Sequence, residues 1–311
     1  MGGRVGIPLR ALAACAAAAA LGGCGLGPGP GTSNVTMTVT RGFGSQQVGF
    51  ATEVHVPGSE TVMRMLERRF KDVQLRYGGG FVESIDGHAG NSSHTDWFYY
   101  VNGVEAPKGA ANTALNKGDR VWWDLHDWSA TDSIPAVVGS YPEPFVHGIA
   151  GQRLPTTLEC GSDVNASCKL VEDALDRAGV PVASQYIGTG SGPNTLGVVV
   201  GTWKDISAEV ATGLIDHGPS ASGVYARFGA GGRTLELLNP HGAVARTLGA
   251  GAGLVAATAD SQSAPTWLIT GTDPAGVAAA ARALNARALH DHFALAVDGA
   301  ADLPLPLQGL Q

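Results

Sequence analysis

The chain has 311 residues, and its 27 acidic and 20 basic side chains give a formal net charge of −7 at pH 7. Because surfaces that bind nucleic acids are usually basic, this balance argues against a nucleic-acid partner. Only 15% of the residues are charged, and the chain contains 45 glycines and 17 prolines, so we expect a loop-rich globular protein of about two domains with a mostly neutral surface.

The first 23 residues have the composition of an export signal. Arg4 and Arg10 precede an apolar run over residues 11–21, and residues 1–23 contain no acidic side chain. A basic start, a short apolar core and small residues before a cleavage site are typical of a secretory signal peptide, and the apolar run is too short to span a bilayer. The Leu-Gly-Gly-Cys sequence that ends at Cys24 resembles the bacterial lipobox, in which a signal peptidase cuts before a lipid-modified cysteine.

We therefore expect a lipoprotein signal peptide over residues 1–23, lipidation at Cys24, and an extracytoplasmic protein anchored to the bacterial cell membrane as a lipoprotein. The alternative is an ordinary secreted protein that carries Cys24 as an unpaired thiol. Loss of the two signal arginines gives the mature chain a formal charge of −9. Cys160 and Cys168 are then the remaining cysteines, and in an oxidising compartment their spacing favours a disulfide over a zinc site, which needs further ligands.

The mature chain begins with a Gly/Pro-rich tether over residues 24–34, followed by a predicted domain over residues 35–132. Period-two alternation predicts a strand over residues 35–40, and Ser59 is the predicted N-cap of a helix that buries Val62, Leu66 and Phe70. Further strands are predicted over residues 50–56, 81–85, 97–101 and 120–127. The strongest hairpin signal is the Asn102-Gly103 turn after the aromatic strand, and a second turn covers residues 116–119.

A second predicted domain, residues 135–311, is mixed α/β and has no assigned role. It contains three candidate strand–turn–helix units, over residues 156–160 and 168–178, 196–201 and 205–216, and 267–271 and 274–289. The last helix is expected to begin with Asp273 as its cap and Pro274 at its first position. Further strands are predicted over residues 224–228, 235–238, 253–259 and 293–297.

The Val-Gly-Thr sequence at residues 200–202 matches Thr-Gly-Thr at 270–272, which hints at duplicated strand-helix-strand units. The predicted fold class is α+β, with a small β-grasp domain followed by a mixed α/β domain.

Four segments of the first domain carry a family resemblance. They are Thr61-Val62 at a helix start, the run 78–85, the aromatic hairpin 97–103, and the strand 118–123. Together they resemble the transcobalamin C-terminal-like β-grasp domain, over about residues 35–130. In the vitamin-carrier proteins this domain and a larger helical barrel enclose cobalamin, and that barrel is absent from this chain.

The resemblance implies a ligand-binding module, with cobalamin or another corrinoid as the candidate ligand; no cofactor is otherwise assigned. Flat aromatic side chains would contact the ring, and amide or hydroxyl groups would bind its substituents. The candidate ligand-binding residues are Trp97, Tyr99, Asn102, Trp122, Trp123 and Trp128. Because neighbouring residues of a strand point to opposite faces, several of these side chains are expected in the core instead.

Histidines flank the aromatic strands, and either His94 or His126 would be the axial ligand of a cobalt ion or part of a metal site. The simpler interpretation, exposed loop histidines and strand-end charges, is favoured, and no metal site is assigned. The same holds for the His-Asp-His sequence at residues 290–292.

Motifs of the common enzyme classes are missing, including the nucleophile elbow, the phosphate loop and the His-Glu-x-x-His helix, so no catalytic residue is assigned. The leading hypothesis is a lipid-anchored protein that binds a corrinoid and presents it to a membrane transporter. The alternative is a non-catalytic cell-surface interaction module that binds protein or glycan.

Overall fold

The structure, a computed structural model, describes residues 1–3, 33–91, 93–260 and 263–308. Nearly all of the predicted signal peptide, the lipidation residue Cys24 and most of the predicted tether lie outside these residues. None of the described helices has both the length and the apolar character that crossing a membrane requires.

The N-terminal region, residues 35–132, contains one α-helix and two small sheets among its described residues. Its elements are β1 (Val35–Arg41), β2 (Gln46–Glu53), α1 (Val62–Arg69), β3 (Val73–Arg76), β4 (Phe81–Ile85), β5 (His88–Ala89), β6 (Thr95–Val101), β7 (Val104–Glu105) and β8 (Arg120–Asp127). The larger sheet has the order β2-β1-β8-β6-β7, and the smaller one has the order β3-β4-β5.

The larger sheet has the arrangement that a β-grasp requires. Its central strands β1 and β8 are parallel, whereas β2 and β6 run antiparallel to them on either side. Helix α1 packs against this sheet through Val62, Met65 and Leu66, which are fully buried with Met37 and Val39 of β1. Burying the apolar stripe of α1 against alternate strand residues builds the first core.

The start of α1 corrects the predicted cap. Ser59 has a φ of +61°, which places it in a turn rather than at a helix end. Thr61 is the N-cap, and its Oγ1 accepts a hydrogen bond from Arg64 N at 3.3 Å. Strand β2 begins at Gln46, four residues before the predicted start, because the tight turn after Arg41 brings Gln46 directly opposite it.

The C-terminal region, residues 135–308, holds the second core. Its elements are β9 (Thr156–Cys160), α2 (Asn165–Arg177), β10 (Val182–Tyr186), β11 (Leu196–Thr202), α3 (Val210–Asp216), α4 (Pro219–Ser222), β12 (Ala226–Phe228), β13 (Leu235–Leu238), β14 (Val244–Leu248), β15 (Ala252–Thr258), β16 (Thr266–Gly271), α5 (Pro274–Ala283), α6 (Ala286–Leu289), β17 (Ala294–Asp298) and β18 (Ala301–Leu305). A seven-stranded mixed sheet has the order β10-β9-β11-β16-β15-β17-β18, and β12-β13-β14 form a separate antiparallel sheet. The α+β fold class is confirmed.

Helices α2 and α5 cover one face of the seven-stranded sheet, and the cap of α5 is Asp273, as predicted. The single helix predicted over residues 274–289 is instead two, because the Asn285 side chain accepts a hydrogen bond from Ala288 N and starts α6. Helix α2 begins three residues before the predicted start, and α3 begins five residues after it.

The matching sequences at residues 200–202 and 270–272 lie on neighbouring parallel strands, with Gly201 opposite Thr270. The likeness ends after the following helices. Strand β12 joins the three-stranded sheet, whereas β17 pairs with β15 in the seven-stranded sheet.

The predicted disulfide between Cys160 and Cys168 is confirmed, and it joins the end of β9 to the first turns of α2 across a Cα–Cα distance of 5.9 Å. On the chain-entropy account, closing so short a loop contributes about 2–3 kcal/mol.

The two regions share a core. The second face of the seven-stranded sheet packs with the three-stranded sheet and with aromatic residues of the N-terminal region. Phe293 lies at this junction, and its ring is within 5.0–5.6 Å of the rings of Trp122, Tyr100 and His126. The N-terminal sheet is therefore covered on both faces, by α1 on one side and by the C-terminal region on the other.

Candidate functional site

The aromatic residues of β6 and β8 divide between the two faces of the N-terminal sheet. Tyr99 lies opposite Trp123, and Tyr100 lies opposite Trp122. Trp123 and Tyr99 belong to the core with α1, together with Trp97. Tyr100 and Trp122 belong to the core shared with the C-terminal region. The predicted ligand-binding residues of β6 and β8 therefore lie on opposite faces of the sheet and do not form one surface.

Trp122 is buried at the junction of the two regions. Its ring lies 5.0 Å from that of Phe293, and its indole N–H donates to Thr40 Oγ1 at 2.7 Å. A protein surface therefore occupies the place that the resemblance assigns to a ligand on this face.

Asn102 forms the predicted hairpin turn, with a φ of +54°, and is fully buried. Its Nδ2 donates to Asp119 Oδ1 at 2.9 Å and to Gly148 O at 2.8 Å, and its Oδ1 accepts from Arg120 N at 2.8 Å. The hydrogen bond to Gly148 joins the turn to the C-terminal region, and the other two join it to the start of β8.

Trp128 lies at the opposite end of the β6–β8 pair from this turn. It is half-buried, its backbone N–H donates to His94 O at 2.7 Å, and its ring is 6.4 Å from the imidazole of His94. It does not meet the other predicted ligand-binding residues.

Three predicted residues, Trp97, Tyr99 and Trp123, line one cavity of about 390 Å³, which we call the aromatic cavity. Its other walls come from α1, from the start of β4 and from the segment 105–110. Because β7 pairs only with the last two residues of β6, the earlier part of that strand is open on this side. The cavity fills the gap between β6 and this segment.

Stacked rings and an indole donor give the aromatic cavity its chemistry. The rings of Tyr99 and Trp123 stack at 4.8 Å, and Trp123 Nε1 is buried without a hydrogen-bond partner among the described residues. By contrast, Trp97 Nε1 donates to His88 O at 3.1 Å. An unpaired donor beside stacked rings suits a planar group with an acceptor atom.

The hydroxyl of Tyr99 is already occupied, because it donates to Lys108 O and lies 2.8 Å from Thr113 Oγ1. Burial raises the pKa of Tyr99, and the hydrogen bond with Thr113 opposes that shift. At the rim, burial also raises the pKa of Glu105, whose Oε2 accepts from Ser133 Oγ at 2.6 Å.

Sequence reasoning missed Phe81 and Pro107, which also line the aromatic cavity. Phe81 remains 62% exposed, and its ring meets the exposed Tyr77 edge-on at 5.8 Å. The sequence signal that could have found Phe81 is the pair of aromatic residues, Tyr77 and Phe81, on either side of the Gly78-Gly79-Gly80 turn.

The histidines do not assemble a metal centre. His126 is buried between the rings of Phe43 and Phe98, and its Nδ1 lies 2.9 Å from Asp124 Oδ1. His94 is exposed directly before β6, near the same end of the β6–β8 pair, but it does not join His126 in a cluster of ligands. The described ranges contain no group of three or more His, Cys, Asp or Glu side chains placed to hold a metal ion.

Comparison with known proteins places part of this region in a family model. Residues 59–127 match DUF4430, a domain of unknown function. These residues include β6, β8 and all of the residues that line the aromatic cavity. No protein with a curated description matches the chain at a significant level.

Among solved structures, the chain is similar to a crystal structure from Ruminococcus gnavus that is described as a candidate metal-binding protein. The identity is 18%, the TM-score is 0.24, and the match covers 30% of this chain and 97% of that one.

Proposed function

We propose that the protein is a non-catalytic, extracytoplasmic binding protein that holds a small molecule by a planar group in the aromatic cavity. The observation that carries this proposal is the meeting of Trp97, Tyr99 and Trp123 around one cavity of about 390 Å³. Small-molecule sites are mostly apolar concavities of about 300–1,000 Å³ with a few polar groups that orient the ligand. The aromatic cavity has that character.

A corrinoid is the ligand that the sequence resemblance implies, and the cavity size decides how it would bind. At about 390 Å³ the aromatic cavity fits one planar part of such a molecule. The rest would lie outside, against the exposed rings of Phe81 and Tyr77. In this proposal the protein presents the corrinoid to a membrane transporter.

We expect cyanocobalamin to quench the tryptophan fluorescence of the mature protein saturably. Phe81→Ala should weaken binding about tenfold, because it removes an aromatic contact worth about 1 kcal/mol together with apolar surface. Phe81 is the variant of choice because it is exposed, so its loss should not unfold the core. Fluorescence titration, corrected with free tryptophan, measures both dissociation constants.

Tyr186→Ala is the matched control, because Tyr186 is 89% exposed and lies on β10 of the C-terminal region. Its affinity should equal that of the unchanged protein. No saturable quenching up to high micromolar cyanocobalamin, or equal affinities for all three proteins, would exclude a corrinoid in this cavity.

We further propose that the protein is held at the outer surface of the cell membrane by lipid at Cys24. The Cys160–Cys168 disulfide supports an oxidising compartment, and the Leu-Gly-Gly-Cys sequence supports the attachment residue. Two or three acyl chains hold a protein on a membrane almost permanently, because each buried methylene contributes about 0.8 kcal/mol.

Cys24→Ala should abolish incorporation of labelled palmitate and move the protein from the membrane fraction to the soluble extracytoplasmic fraction. Cys15→Ala provides the control. Because Cys15 lies inside the predicted signal peptide, this variant should leave the labelling unchanged. Label retained by the Cys24 variant would contradict the anchor. Metabolic labelling followed by fractionation gives both readouts.

A second function, a cell-surface interaction module, is favoured by the exposure of Tyr77 and Phe81, which are 82% and 62% accessible. Exposed aromatic rings are typical of surfaces that contact protein or glycan. The test is capture of a partner from envelope extracts. This function would be supported over the first if Tyr77→Ala abolished the capture and cyanocobalamin left it unchanged.

A further inference from the structure

A buried carboxylate lies inside the seven-stranded sheet. Leu158 and Cys160 of β9 pack toward α2, so Glu159, between them, points to the opposite face. Glu159 is only 1% exposed, and its Oε2 has no hydrogen-bond partner among the described residues. Burying a carboxylate oxygen without a donor costs free energy, so the position calls for a partner.

A second carboxylate accompanies it. Glu209 is the N-cap residue of α3, but its side chain does not cap that helix. Instead it is 9% exposed and its Oε1 accepts a hydrogen bond from Gly188 N at 2.6 Å. Burial, and then the charge of Glu209, raises the pKa of Glu159, whereas the backbone N–H groups of residues 188–190 oppose that shift.

Both carboxylates line one cavity of about 110 Å³, which we call the acidic cavity. Since a water molecule occupies about 30 Å³ in the liquid, this space holds a group of a few heavy atoms. Its polar lining also includes Asp260 and the hydroxyl-bearing residues Ser191, Thr258, Ser263 and Thr266.

A larger cavity of about 780 Å³ adjoins the acidic cavity, and the two share the lining residues Leu214, Ala259, Asp260, Ser263 and Ala264. Most of its remaining lining is apolar, and it includes Val104, Pro107, Pro135, Ile149, Leu154 and Pro265. The small acidic cavity thus lies beside a larger, mostly apolar cavity.

We propose that Glu159 and Glu209 bind the ammonium group of a primary alkylamine whose alkyl chain lies in the adjoining apolar cavity. A primary ammonium carries three N–H donors and a positive charge, so it supplies the hydrogen bond that Glu159 Oε2 lacks among the described residues and a charge opposite to that of the two carboxylates. The alkyl chain gains by leaving water, at about 0.8 kcal/mol for each buried methylene.

A divalent metal ion fits the site less well. Calcium takes six to eight oxygen ligands. Although Asp260 also lines the acidic cavity, no three His, Cys, Asp or Glu side chains of the described residues are placed to hold a metal ion together. The acidic cavity, which carries this inference, shares no wall with the aromatic cavity, so the inference does not rest on the proposed function. The adjoining apolar cavity does meet the aromatic cavity, at Glu105, Ala106 and Pro107.

Isothermal titration of the mature protein with n-hexylammonium chloride at neutral pH tests the inference. We expect saturable binding, and at least tenfold weaker binding of n-hexanol, which has the same chain without the charge. Glu159→Gln keeps the shape of the side chain but removes its charge, and should weaken hexylammonium binding at least tenfold. Glu172→Gln, on the partly exposed face of α2, should leave it unchanged.

Glu209→Gln is a second variant that should also weaken binding, and it carries the test if Glu159→Gln does not fold, as judged by circular dichroism. Equal binding of hexanol and hexylammonium, or full affinity in both glutamate variants, would overturn the proposal. So would saturable binding of calcium chloride that Glu159→Gln abolishes while hexylammonium does not bind, because that result assigns the cavity to a metal.

Discussion

Asp124→Ala is expected to lower the free energy of unfolding by about 3–5 kcal/mol, because several buried hydrogen-bond donors lose their acceptor. Asp124 is fully buried at the junction of the two regions. Its carboxylate accepts hydrogen bonds from Phe43 N at 3.0 Å, from Gly44 N at 2.8 Å and from Thr40 Oγ1 at 2.5 Å. It also lies 2.9 Å from His126 Nδ1.

The size of the effect follows from what alanine leaves behind. The N–H groups of Phe43 and Gly44 would lose their acceptor, and the Thr40 hydroxyl would keep only a long hydrogen bond to Trp123 O at 3.4 Å. Each buried group left unsatisfied costs about 1–3 kcal/mol. The turn between β1 and β2 would also lose its attachment to β8. Urea unfolding followed by far-ultraviolet circular dichroism measures the change.

Asp132→Ala is the control, because Asp132 is exposed and a surface substitution usually changes stability by less than about 0.5 kcal/mol. Equal midpoints for the two variants would show that the Asp124 hydrogen bonds contribute nothing to the fold.

Phe293→Ala should destabilise the protein by a similar amount, about 3–5 kcal/mol, because it removes a large buried ring and leaves a cavity. Phe293 is 3% exposed and precedes β17. Its ring lies 5.2 Å from Phe43 and 5.0 Å from Trp122, both in the N-terminal region. Its backbone oxygen also accepts from Val138 N at 3.2 Å.

Phe293→Leu gives the matched comparison, since a swap that nearly conserves volume usually costs less than about 1.5 kcal/mol. Phe50→Ala removes a ring of the same kind that is 58% exposed on β2, and should be nearly neutral. If Phe293→Ala were as stable as Phe50→Ala, the two regions would not depend on this contact. Urea midpoints and near-ultraviolet circular dichroism distinguish these outcomes.

The burial of Trp122 against Phe293 explains why the predicted ligand-binding residues do not share one surface. The sequence places Trp122 and Trp123 on opposite faces of β8 by simple alternation. It does not say which face another part of the chain covers. Phe293, which is 171 positions after Trp122, covers the Trp122 ring, whereas Trp123 lines the aromatic cavity on the other face.

Local signals predicted local structure well. The Asn102-Gly103 turn requires two left-handed residues in sequence, and their φ values of +54° and +74° form that turn. Asp273 caps α5 for an equally local reason, since its carboxylate reaches Gly276 N at 2.9 Å. Ser59 failed as a cap because the preceding Pro57-Gly58 sequence turns the chain, and Thr61 was the next residue able to cap.

The carboxylates of the acidic cavity show the limit of sequence reasoning most clearly. Glu159 is an acidic residue inside a strand whose neighbours Leu158 and Cys160 are core residues, and that contrast was the available signal. Its partner Glu209 and the loop at residue 188 reach it only after the chain has folded.

The sequence by itself determined the α+β class, the aromatic hairpin and the Cys160–Cys168 pairing, because turn chemistry, alternation and cysteine spacing act over a few residues. The tertiary structure decided which aromatic side chains meet in a cavity and which are sealed between the two regions. It also decided that Glu159 and Glu209 line the same acidic cavity. Those outcomes depend on contacts between residues far apart in the chain, and the free energy of burying such surfaces is set by the whole fold.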